Sequence, residues 1–87
     1  MLFMTIFTWD PERSDEVSKR RATEKVTEGI RIVGEWVDLQ GGRVFRLSET
    51  DDPKAFLAES FAWSDLGWIE SAPVMESEEV MKLLPKG

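Results

Sequence analysis

From Leu2 to Trp9 the chain alternates into two sets, Leu2, Met4, Ile6 and Thr8 on one face and Phe3, Thr5, Phe7 and Trp9 on the other. Both sets are mostly apolar, which predicts a strand with both faces of its sheet covered. Asp10 and Pro11 follow as an N-cap and an N1 proline, with Glu12, Asp15 and Glu16 near the positive end of a helix dipole. The helix they open is predicted to run to about Thr27 and to stop before Gly29. It is thin in apolar residues, offering Val17, Ala22 and Val26. Its inner face is therefore completed by the stems of Arg20 or Arg21, or is left open above a cavity.

Ile30 to Leu39 predict a second strand and Arg43 to about Thr50 a third. Between them, Gln40-Gly41-Gly42 reads as a hairpin connection with residues at positive φ. A phosphate-binding reading of the glycine pair fails, because a strand follows it instead of a helix and no third glycine stands at the required spacing. Asp52 and Pro53 repeat the cap arrangement and open a helix through about Trp63, with Ala55, Phe56, Phe61 and Trp63 available for burial. Gly67 supplies a stop. Trp68 to Met75 form a fourth strand, which Pro73 assigns to a sheet edge or a bulge. Ser77 caps a short tail helix with an apolar strip of Val80, Leu83 and Leu84.

The order β-α-β-β-α-β plus a tail helix predicts a single α+β domain over residues 1–87. Its fold is ferredoxin-like, with an antiparallel sheet. Helices cover one face of such a sheet and leave the other bare. Here the first strand is apolar on both sides. The second carries Ile30, Ile32 and Trp36 on one parity and Val33, Val37 and Leu39 on the other. A monomer would expose more apolar surface than soluble monomers tolerate, so the pattern predicts a homodimer joined through the sheet face.

Composition narrows the partners. A net charge of −6 and a pI near 4.6 oppose general binding to nucleic acid and to anionic membranes. The opening MLFMTIFTW is too short to span a bilayer and has no basic n-region or small-residue cleavage site, so a cytoplasmic location is expected. Without cysteine or histidine there is no Ser–His–Asp or Cys–His arrangement and no cysteine-ligated zinc site, and neither metal nor cofactor is expected. At 87 residues a domain this small usually needs a stabiliser. With disulfides excluded, a partner subunit is the one left.

The segments MLFMTIFTWDPE, KRR, IRIVGEWVDLQGGRVFRLSETDDPKAF, WSDL and PVMESEEVMKLL resemble a small microbial family of unknown function of the dimeric α/β-barrel type. The resemblance spans nearly the whole chain, with the GEW-D-L-GG run its most specific element. It implies a fold and a dimer, and brings no established substrate. The wider group includes cofactor-free monooxygenases, isomerases, haem enzymes and amino-acid-sensing domains, with ligands held between sheet and helices. The haem members rely on a histidine that this sequence lacks.

Candidate ligand-binding residues are Trp36, Gly34, Glu49, Arg21, Trp9 and Trp68. Indoles make good pocket walls because they bury much area and keep one N–H donor. Trp36 leads, because Gly34 on the same parity leaves room beside its ring. Glu49, sharing parity with Phe45 and Leu47, is the sharpest candidate for a strand carboxylate raised by burial and acting as a general base. The competing reading for Glu35, Asp38, Glu49 and Glu70 is exposure, or ion pairs with Arg31, Arg43 or Arg46. The tryptophans equally serve as core and interface.

Three functions compete. The leading one is a homodimer that binds a small, partly apolar and, given Arg21, anionic ligand, or serves as an accessory or sensory subunit. Another is a cofactor-independent isomerase or monooxygenase-like enzyme using Glu49. The third is a purely structural dimerisation or protein-interaction module.

Overall fold

A computed structural model describes residues 1–85. Strand β1 (Leu2–Thr8) leads through a 3₁₀ turn (Pro11–Arg13) into helix α1 (Ser14–Ala22). Strands β2 (Arg31–Val37) and β3 (Arg43–Glu49) form a hairpin, followed by helix α2 (Pro53–Phe61), strand β4 (Trp68–Val74) and helix α3 (Ser77–Leu83). The strands make one antiparallel sheet in the order β2-β3-β1-β4, which fits the ferredoxin-like arrangement loosely. Pro73 lies on the edge strand β4, where a missing N–H costs no ladder bond.

The two parities of β1 separate as expected. Phe3 meets the ring of Phe56 on α2 at 4.3 Å, and Phe7 meets Trp63 edge-on at 5.4 Å. The odd-numbered residues of β1 therefore face the helices. Phe7, Val17, Val44, Trp63 and Leu66 form the buried core, with Trp9 and Ile69 packed against it. Leu2, Met4, Ile6 and Thr8 face the other way, across from Glu49, Leu47, Phe45 and Arg43 on β3.

The hairpin turn is built by Asp38. Its carboxylate accepts from the Gln40 amide at 2.9 Å and from Arg43 Nε at 3.1 Å, while its own amide donates to the Arg43 carbonyl. Gly41 and Gly42 sit at φ +86° and +80°, a region open to glycine at little cost. The glycine pair thus makes the connection, and the Gly42 carbonyl accepts from the Trp9 amide at 3.0 Å.

Five local expectations are corrected. Ser77 is not the cap of α3 but its first helical residue, preceded by Glu76, which makes no side-chain cap bond. Helix α1 stops at Ala22 instead of reaching Thr27. The Thr23 hydroxyl donates back to the Arg20 carbonyl, and the chain then turns inward so that Glu24 meets Arg46 and Thr27 meets Glu59. Asp10 is not a side-chain cap, since only its carbonyl is used, by the Arg13 amide, whereas Asp52 does cap α2 through the Lys54 amide at 3.0 Å. Phe61, offered for burial, is 70% exposed at the outer end of α2. Finally, β2 carries a register shift between Ile32 and Gly34. Ile32 lies opposite the buried Ser48, but Trp36 lies opposite Phe45, so the two face opposite sides of the sheet despite their shared parity.

Candidate functional site

Between the sheet and the helices lies a cavity of about 60 Å³. Phe7, Phe56 and Trp63 give it aromatic walls, and Ile32, Val44 and Ile69 extend the apolar lining.

One wall is charged. Arg46, on the helix side of β3, directs every nitrogen of its guanidinium group at a glutamate. Nε donates to Glu35 at 2.6 Å, Nη1 to Glu24 at 2.7 Å and to Glu59 at 3.2 Å, and Nη2 to the second Glu24 oxygen at 2.9 Å. Arg21, reaching down from α1, donates to the remaining oxygen of Glu35, and Thr27 donates through its amide and hydroxyl to the remaining oxygen of Glu59. The hydrogen bond from Arg46, set against partial burial, holds the Glu24 carboxyl below its usual range. The reciprocal bond to Glu24 raises the Arg46 guanidinium further above its own. Every carboxylate oxygen in the cluster is occupied, and three carboxylates meet two guanidinium groups.

Two polar residues that line the cavity retain hydrogen-bonding capacity. Arg21 uses only Nη2, leaving Nε and Nη1 without a partner among the described residues. Ser48 is 6% exposed and lines the cavity, and its hydroxyl has no partner among the described residues. No fully enclosed side-chain polar atom there is unsatisfied, so the Ser48 hydroxyl is one the cavity leaves accessible. Ser48 carried no sequence signal beyond its place in an alternating strand.

The residues singled out from sequence are divided by the sheet. Arg21 lines the cavity, and Trp9 lies on the same side, its ring tilted by 33° against Phe7 at 5.4 Å and its indole N–H donating to Ser14 at 3.2 Å. Gly34, Trp36, Glu49 and Trp68 lie on the bare face, in register with Leu47, Phe45, Leu2 and Thr8. The space beside Gly34 is filled by the Trp36 ring itself, which would stand 2.8 Å from a Cβ at that position. Glu49 is an exposed residue that accepts from Arg31 at 3.0 Å, so the ion-paired reading applies to it, as it does to Glu35 and Asp38. Arg20 lies over Trp63 at 5.7 Å and makes paired bonds to Asp65 at 2.7 and 3.0 Å, which lower the Asp65 carboxyl.

The sheet order, the GEW-D-L-GG hairpin and the bare face all lie within a match to one family model, DUF3303, described as a domain of unknown function, over residues 1–87. The chain belongs to the DUF3303 family. Neither a curated protein nor a solved structure matches the chain. Among the described residues of this DUF3303 chain, no helix is long and apolar enough to cross a membrane.

Proposed function

We propose that this DUF3303 chain acts as a homodimeric accessory or sensory domain, its two bare sheet faces packed together as in a dimeric α/β barrel, with a small uncharged ligand held under the helices. The observation that carries the reading is the composition of the bare face. Met4, Ile6, Phe45 and Leu47 occupy its centre, Trp36 and Trp68 are 55% and 60% exposed near its margins, and charges stand at the rim as the pairs Arg31–Glu49 and Arg43–Asp38 and as Glu70 on the edge strand opposite Ile6. An apolar centre ringed by polar groups is the anatomy of a protein interface.

The ligand reading has its support in the Ser48 hydroxyl and the spare donors of Arg21. The cluster around them carries one excess negative charge, which disfavours the anion that Arg21 alone suggested and favours a neutral molecule with an oxygen acceptor. An enzyme using a strand carboxylate has less support. Glu49 is exposed and paired to Arg31, and the oxygens of Glu24, Glu35 and Glu59 already accept hydrogen bonds.

Sedimentation velocity at micromolar concentration tests the dimer. A two-subunit species that Phe45→Asp converts to folded monomer is expected, and a stable wild-type monomer sinks the proposal. Titration with small ketones and alcohols against their carboxylate counterparts, followed by NMR, tests the ligand. Shifts near Ser48 with the neutral compounds are expected, and stronger binding of the carboxylates would overturn that part.

A further inference from the structure

Helix α3 is helical without resting on its own domain. Every residue from Ser77 to Leu83 is exposed, including Val80 at 42%, Met81 at 64% and Leu83 at 74%. Its side-chain hydrogen bonding among the described residues is confined to Lys82 and Glu79, within the helix. An isolated helix of seven residues is far below the length that holds itself together in water. The overall dimensions agree. The radius of gyration is 15.0 Å, whereas a compact chain of this length has about 12 Å.

We infer that α3 is an arm whose apolar strip, Val80, Leu83 and Leu84, packs on a second copy of this chain. The inference rests on the homodimer proposed above. Area supports that occupant. Four strands of seven residues give the bare face a flat footprint of roughly 450 Å², a small platform for a dimer whose partners each lose ~600 Å² or more of accessible surface. A seven-residue helix covers roughly 100 Å². Exchanging two arms adds that amount twice to each subunit, once on its own arm and once where it receives the other, and so enlarges the contact by nearly half.

The seat follows from the sheet order once the two-fold axis is taken parallel to the strands. β4 and β2 are the two edges, and α3 leaves β4 at the end where Val74, Leu2, Glu49 and Arg31 align across the sheet. A two-fold axis parallel to the strands lays β4 of one subunit over β2 of the other and keeps the same end. The arm then reaches Arg31 and Val33 of the partner subunit. β2 is an apolar margin there, with Val33 44% exposed. In the acidic first turn of α3, Glu78 brings a carboxylate toward Arg31 of the partner subunit, beside the exposed pair that this arginine makes with its own Glu49.

The test uses the full chain. Val80→Asp combined with Leu83→Asp is expected to raise the dimer dissociation constant by at least about tenfold, with an unchanged far-ultraviolet spectrum of the body. Independently, a nitroxide on Leu83→Cys, the sole thiol in a chain without native cysteine, is placed in one subunit of a mixed dimer. It is expected to broaden amide signals around Arg31 and Val33 in the unlabelled, isotope-enriched subunit. An unchanged dissociation constant, or no broadening around Arg31 and Val33 in the isotope-enriched subunit, overturns the arm while leaving the dimer standing. A wild-type chain that is monomeric throughout removes both.

Discussion

The guanidinium of Arg46 grips both oxygens of Glu24, Nη1 at 2.7 Å and Nη2 at 2.9 Å, from a strand to a loop 22 residues earlier. Both side chains are largely buried, with 15% and 14% of their surface exposed. The pair anchors the segment between α1 and β2 onto the sheet, and that segment is otherwise poor in apolar anchors. Replacing Arg46 by Leu leaves Glu24, Glu35 and Glu59 facing one another around a single remaining arginine. The expected loss is about 3–5 kcal/mol, measured by urea unfolding.

The same pair sets an acid limit. The folded-state Glu24 carboxyl titrates below its ordinary value of 4.5, because the hydrogen bond from Arg46 favours its charged form. The unfolded chain therefore takes up this proton first as pH falls. Glu24 contributes stability above about pH 4.5 that is lost as pH drops toward its lower folded value. Urea midpoints measured across that range should fall in the wild type, and the fall should be shallower in Glu24→Gln.

Two glycine substitutions should differ in cost for different reasons. A Cβ at Gly67 would stand 2.1 Å from the Thr8 carbonyl oxygen, so alanine there must push β4 away from β1. A Cβ at Gly41 meets nothing within 4 Å, and only its φ of +86° is unfavourable. Gly41→Ala should cost about 1–2 kcal/mol, and Gly67→Ala more, up to about 3 kcal/mol or beyond. Thermal unfolding of the two variants side by side checks the order; equal losses would contradict it.

Gly34→Ala tests the contact with Trp36. A Cβ would approach the ring edge to 2.8 Å, but the indole is 55% exposed and free to swing. Stability should change by less than about 1 kcal/mol, while the indole N–H resonance of Trp36 shifts. An unmoved resonance would mean that the ring does not cover Gly34.

Glu49→Gln removes a surface ion pair with Arg31, in which the two side chains are 46% and 67% exposed. Such pairs contribute about 0–1 kcal/mol, and a change of that size in the urea midpoint is expected. A loss of several kcal/mol would show that Glu49 is not the exposed residue described.

Local chemistry made most of the fold legible. The alternation of Leu2 to Trp9, the Asp52-Pro53 cap, the turn residues Asp38, Gly41 and Gly42, and Pro73 on an edge strand all act within a few residues of themselves, so their consequences are visible in the sequence. Even the ion pairs of Glu35, Asp38 and Glu49 could be anticipated, because Arg46, Arg43 and Arg31 stand at nearby strand positions. The candidate site was less legible. A register shift at Val33 inverts the outer part of β2 and moves Trp36 to the bare face, and a one-residue shift has no signature in an alternating apolar run. Glu24 and Glu59 carry no sequence signal beyond their place in predicted helices, and only the folded sheet brings Arg46 between them.

By itself, then, the sequence determined the order of elements and the two-sided apolar strand at the sheet's centre, because periodicity and capping are local. Which face each β2 side chain takes, where α1 ends, and that the cavity is lined by a closed Arg–Glu cluster with Ser48 left over were decided only by tertiary structure. The physical reason is that a buried charge is tolerated only where its partners converge, and those partners come from α1, the following loop, β2, β3 and α2.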